Sequence, residues 1–135
     1  MLRIMADNDV AGYVLHLVRL CESEPWREVW SELGCEVFTF NDLSIAEDAT
    51  DAEIWQACQT NEVVLITGNR NADDPQSLEV TIRERNHERC LPVLTLADID
   101  RIHADRTYAD TVVQRLLEIL LDLDTLRGTG RLYLP

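Results

Sequence analysis

The chain reads as an α/β protein, a three-layer α/β/α arrangement around a mostly parallel sheet of about four strands, followed by a C-terminal apolar helix. Three observations lead there. Short apolar runs of strand length alternate with stretches of helical periodicity, and that alternation belongs to parallel sheets covered by helices. The length, 135 residues with 46% hydrophobic content, suits one core. No linker, internal repeat or low-complexity stretch divides it, so a single domain over 1–135 is expected, with its core at about 2–103 and a helix and tail at 106–135.

Four runs supply the strands: Leu2 to Ala6, Glu36 to Phe40, Val63 to Thr67 and Pro92 to Leu96, each bounded by polar or turn residues. Between the first two, Val10, Val14, Leu17 and Val18 share one helical face. A second helix follows, with Pro25 at its first turn and Gly34 as its stop. Thr50-Asp51-Ala52-Glu53 is a capping box with Ile54, Ala57 and Cys58 as the apolar stripe behind it. Asp74-Pro75 reads as an N-cap and first helical residue, opening a polar helix to about Arg89. Tyr108 to Leu126 carries more apolar surface than docking on a sheet requires, which suits either a central core helix or one shared across a homodimer. The final RGTGRLYLP is a turn and then a short strand or tail able to pair with an edge of this or another chain.

Composition excludes several functions. Twenty-five acidic residues against twelve arginines give a formal charge of -13, which disfavours nucleic acid unless metal ions or a local basic patch intervene. Lysine is absent, removing Schiff-base and phosphate-loop lysines. Cys21, Cys35, Cys58 and Cys90 form no C-x-x-C pair and read as buried thiols. No secretory leader pattern and no run of about 20 apolar residues is present, so a soluble, reducing, cytoplasmic setting without membrane contact is expected. No G-x-G-x-x-G follows the first strand, and the third ends in Thr67-Gly68-Asn69 with no acceptor carboxylate, against dinucleotide-binding and receiver domains.

Ligands of open parallel sheets bind at the carboxyl ends of the strands. There the sequence places Asp7, Asn8 and Asp9 after the first run, and Asn69, Arg70, Asn71, Asp73 and Asp74 after the third. Asp48, Asp51 and Glu53 lie around the capping turn. Clustered oxygen donors suit Mg²⁺ or Mn²⁺, and two-metal phosphodiester hydrolysis is the matching chemistry. Most of these residues also have a structural reading. Asp9 and Asp74 can cap helices, Asp51 and Glu53 favour a helix dipole, Asn69 and Asn71 tolerate turns, and Arg70 can pair with acids or hold a phosphate.

The order of strand, ADNDV opening a helix, EVFTF, TDAEI opening another helix, and an apolar strand ending in Thr resembles the PIN-like domains, among them the ribonucleases of toxin-antitoxin modules. The resemblance implies a Mg²⁺- or Mn²⁺-dependent endoribonuclease. Asp7 matches the family's first acid and Asp51 its second. At the third position, where the family has a T-x-D-x-D-F type pattern, this chain has Asn69 and Asn71 with no following Phe. An amide brings oxygen without charge and cannot act as a general base, so Asp73 and Asp74 are the acids available to replace it. Two expectations follow. One is a nuclease with Asp7, Asp51, Asp73 and Asp74 as metal ligands, Asp7, Asp51, Asn69 and Asp73 as the catalytic set, and Arg70 and Asn71 on the substrate. The other is a PIN-derived protein that has lost cleavage and binds a cognate protein partner, as a homodimer through the 108–126 helix.

Overall fold

A computed structural model describes residues 2–69 and 74–135. Its strands are β1 (Arg3–Ala6), β2 (Glu36–Phe38), β3 (Val64–Thr67), β4 (Val93–Leu96) and β5 (Arg131–Leu134). Its helices are α1 (Ala11–Cys21), α2 (Arg27–Leu33), α3 (Asp51–Thr60), α4 (Leu78–Arg85), α5 (Ile99–Ala104) and α6 (Arg106–Leu121). The strands pair in parallel in the order β2-β1-β3-β4-β5. The sheet therefore has five strands where the apolar runs gave four. The fifth comes from the tail: β5 closes onto β4 of its own chain with Val93 opposite Arg131 and Leu96 opposite Leu134.

Alternation along the strands sorts the side chains into two clusters. Ile4, Ile66, Leu94, Leu96 and Leu134 pack with Val14 and Leu17 of α1 and with Val113 and Leu116 of α6. Met5, Leu65 and Val93 pack with Ile54, Trp55 and Cys58 of α3 and with Leu78 and Ile82 of α4. β3 and β4 are buried at every position, the continuous apolar pattern of central parallel strands.

α3 begins as its sequence dictates. The Thr50 hydroxyl accepts from the Glu53 amide at 3.2 Å and the Glu53 carboxylate accepts from the Thr50 amide at 3.2 Å, completing the capping box. Gly34 ends α2 at φ 60, the left-handed conformation a glycine adopts without strain.

Three helices differ in their ends from the sequence expectation: α2 opens at Arg27 behind its cap residue Trp26, which leaves Pro25 ahead of the helix, and α4 and α6 differ as follows. α4 starts at Leu78 and is capped by Ser77, whose side chain accepts from the Val80 amide. Asp74 heads a turn before it, its carboxylate accepting from the Gln76 amide at 2.8 Å and its carbonyl from the Ser77 amide at 2.8 Å. An Asp-Pro step fits a turn as well as a cap, and Ser77 competes for the helix start. The helix also stops early, where Asn86 turns extended and its side-chain Nδ2 donates to the Gly128 carbonyl. α6 ends at Leu121, with a separate 3-10 turn at Leu123–Leu126. Its apolar stripe is buried inside the chain at Val112, Val113, Leu116, Leu117, Ile119 and Leu120, while Leu121 is 64% exposed. The short helix α5 was not legible in the periodicity.

All four cysteines are free thiols, and burial pushes Cys21, Cys35 and Cys58 up to about 12. Among the described residues, no helix is long and apolar enough to cross a membrane.

Candidate functional site

The chain leaves β1 toward β2 on one side and returns to β3 on the other, so strand order reverses between β1 and β3. This reversal opens a crevice at the carboxyl ends of the two strands, the position that doubly wound sheets use for ligands. Asp7 follows β1 directly, and its amide donates to the Ile66 carbonyl of β3 at 2.8 Å. Its carboxylate accepts from the Asn8 amide at 2.8 Å through Oδ1 and from the Thr67 hydroxyl at 3.0 Å through Oδ2.

Thr67 is fully buried, and its hydroxyl also accepts from the Asn69 amide at 3.0 Å. The Asn69 side chain in turn donates from Nδ2 to Asp51 Oδ2 at 2.9 Å. Asp51 stands at the first position of α3, and the same oxygen accepts from the Leu78 amide, the first of α4, at 3.2 Å. One polar chain thus runs from Asp7 through Thr67 and Asn69 to Asp51, tying the ends of β1 and β3 to the starts of α3 and α4. Those helix starts favour negative charge.

Asp9 enters the same crevice. Gly68 makes room for it: a Cβ there would lie 3.1 Å from Asp9 Oδ2, 3.2 Å from Val10 Cγ1 and 2.7 Å from Ile99 Cδ1. Asp9 therefore points toward Gly68, and the capping oxygen of the 3-10 turn ahead of α1 belongs to Asp7. Burial raises the proton affinity of Asp7 above the ordinary carboxylate range against the hydrogen bonds from Thr67 and Asn8, and Asp51 adds to the rise. Asp9 is raised by burial first and by Asp7 second. Among the described residues, Asp7, Asp9 and Asp51 thus act on one another as like charges.

A second, unanticipated network anchors the loop after β3. The Arg131 side chain is 7% exposed, and its Nη1 donates to the Asn69 carbonyl at 2.8 Å and to Thr95 Oγ1 at 2.6 Å. Its Nη2 lies 2.8 Å from Glu79 Oε2. No local pattern marks this arginine, which comes from the apparent tail and meets Asn69 across 62 positions of sequence. Thr67 was legible as a strand end, its role as the link between two acids was not.

The structure brings Asp7, Asp51 and Asn69 together, with Asp9 added. Asp74 is exposed and borders a shallow cleft with Asp51, Thr50, Gln76 and Ser77, occupied in its own turn. Glu53 is spent on the capping box, and Asp48 is exposed ahead of it. Arg70, Asn71 and Asp73 lie outside the described residues. Among the described residues, no three carboxylate, imidazole or thiol side chains converge as a ready metal cage. Asp7, Asp9 and Asp51 are nonetheless oxygen donors of the kind hard divalent cations take, and a cation kept partly hydrated needs only one or two of them.

Comparison with protein-family models, with curated proteins and with solved structures returns no match.

Proposed function

We propose that this chain is a PIN-like ribonuclease that cleaves RNA phosphodiester bonds with Mg²⁺ or Mn²⁺ held at the carboxyl ends of β1 and β3. The observation that carries the reading is Asp7: a carboxylate of raised proton affinity, at the strand-order reversal, joined through Thr67 and Asn69 to Asp51. A divalent ion bound there would supply Lewis-acid polarisation of the phosphate and a water of lowered pKa.

The chain's own residues have separable duties in this reading. Asp7 and Asp51 hold the cation, with Asp9 beside them and Asp73 or Asp74 contributed from the loop after β3. Thr67 fixes the rotamer of Asp7, and Asn69 fixes Asp51 while leaving its other oxygen for the ion. Arg70 and Asn71 contact the substrate phosphate. The chain acts in the cytoplasm as a toxin-type component with a cognate protein partner.

One observation favours a second reading. Asn69 stands where the family carries an acid and its amide nitrogen is committed to Asp51, which lowers the negative charge of the site. A chain that had lost cleavage would keep this fold and bind a protein partner, as a homodimer through α6. The deciding experiment is cleavage of a fluorescent single-stranded RNA with Mn²⁺, by the wild type and by Asp7→Asn. The nuclease reading expects Mn²⁺-dependent cleavage that Asp7→Asn lowers at least a hundredfold with the fold retained. Absence of cleavage in the wild type, or equal cleavage in both, overturns it.

A further inference from the structure

α5 is a six-residue helix beside the crevice, held by contacts of different kinds along its length. Ile99, its first residue, covers Gly68: a Cβ on that glycine would lie 2.7 Å from Ile99 Cδ1 and 3.1 Å from Oδ2 of Asp9, in the 3-10 turn Asn8–Val10. Ile102 is buried in the core shared with α6, and Asp105, which ends α5, caps α6. A further hold, on α1, is made of rings. One turn beyond Ile99, His103 stacks on Tyr13 of α1 with centroids 4.8 Å apart and planes 24° from parallel. His16, also on α1, meets the same His103 ring edge-on at 4.8 Å.

A contact between two imidazoles is stable only while at most one of them is charged, because two like charges at this separation repel even near a surface. The neighbours of His16 add to that repulsion. Burial, then His103 of α5, Arg106 at the start of α6 and Arg19 on its own helix all lower its proton affinity. Two nearby carboxylates are engaged elsewhere, Asp110 with Arg106 at 3.1 Å and Asp105 with Arg101 at 3.2 Å. Asp100, exposed three residues before His103, does not number among the charges acting on His16. Tyr13 suits either charge state of His103, since an aromatic face also holds a cation. The two imidazoles therefore carry the conflict. His16 binds its proton less tightly in this arrangement than a free histidine does, so acid favours the state in which the contact is broken. Its contribution is complete above the ordinary histidine value of 6.5 and is lost as pH falls below it.

We propose that the His16–His103 contact is a pH-sensitive latch that seats α5, through Ile99, over the crevice end of β3 and releases it in mild acid. Release lifts Ile99 from Gly68 and opens the crevice beside Asp9. The carboxylates of the crevice cannot imitate this response. Burial raises the proton affinity of Asp7 and Asp9, so their protonation stabilises the fold as pH falls, which is the opposite sign. The latch depends neither on cleavage nor on a metal.

The test is hydrogen exchange read by mass spectrometry on peptides covering residues 97–105, with α3 as internal reference. It is run at about pH 7.5 and about pH 5.5, on either side of the histidine range, with the intrinsic exchange rate at each pH divided out. The wild type is expected to protect α5 at the higher pH and to lose at least about fivefold of that protection at the lower, while α3 keeps its own. His16→Phe, which keeps a ring edge against His103 and takes no charge, is expected to hold the protection of α5 level between the two. His16→Gln, smaller and also uncharged, is expected to give a lower but equally level protection. Thermal melts verify that each variant folds. A fall of the wild-type size in both folded variants overturns the latch. So does a wild type that shows no fall, leaves α5 unprotected at the higher pH, or loses protection in α3 in parallel.

Discussion

At the scale of single residues, Asp7 determines what the crevice costs and what it can hold. Burial raises its proton affinity above the model-compound value of 3.8, so the folded chain binds a proton there more tightly than the unfolded chain. Stability from this group is complete below about 3.8 and is lost as pH rises through the elevated folded value. At neutral pH the ionised carboxylate is a net burden on the apo protein. Asp7→Asn is therefore expected to melt higher than the wild type at neutral pH without metal, with the difference shrinking as pH falls toward 4, measured by paired thermal melts. Thr67 is the complementary case. Thr67→Val removes the donor to Asp7 and leaves the Asn69 amide without its acceptor, and about 1–3 kcal/mol of stability should be lost by denaturant titration. Gly68→Ala would press a methyl first against Ile99 Cδ1 and then against Asp9 and Val10, and a cost of about 1–3 kcal/mol is expected as Ile99 shifts, read by denaturant titration.

At the scale of elements, the readable parts are those whose signal is local. β1 to β4 are apolar runs between turns, and α3 begins at a capping box four residues long, so these elements and the positions of Asp7 and Asp51 follow from neighbouring residues. β5 and α5 are set by tertiary contact. RLYL becomes a strand because β4 offers it an open parallel edge, and Arg131 becomes buried because Glu79, Thr95 and the Asn69 carbonyl surround its guanidinium. Asp74 was misread as a helix cap because the same Asp-Pro step closes a turn when a serine follows to cap the helix. Arg131 thus ties the last strand to the loop of the site. Arg131→Met should cost about 2–4 kcal/mol, since Glu79 and the Asn69 carbonyl lose their partner, and it should also weaken any divalent binding at the crevice. Denaturant midpoints and metal titration read the two effects separately.

At the scale of the whole molecule, charge and connectivity act together. The sheet order puts its reversal between β1 and β3, and Asp7 and Asp51 are linked at that point through Thr67 and Asn69. Net charge opposes RNA, so binding of a polyanion would need the cation that the crevice is proposed to hold. The long apolar helix that invited a dimer has its stripe occupied by its own chain. A homodimer through α6 would rest on Leu121 and polar neighbours, and Leu121→Glu would then split it in a sedimentation experiment.

The central claim is that the Asp7–Thr67–Asn69–Asp51 chain lines a divalent-metal site. Isothermal titration of the wild type and Asp7→Asn with Mn²⁺ tests it most directly. The expected result is saturable binding by the wild type that Asp7→Asn loses while its melting transition persists. Equal binding by both proteins, or none by the wild type, contradicts the claim.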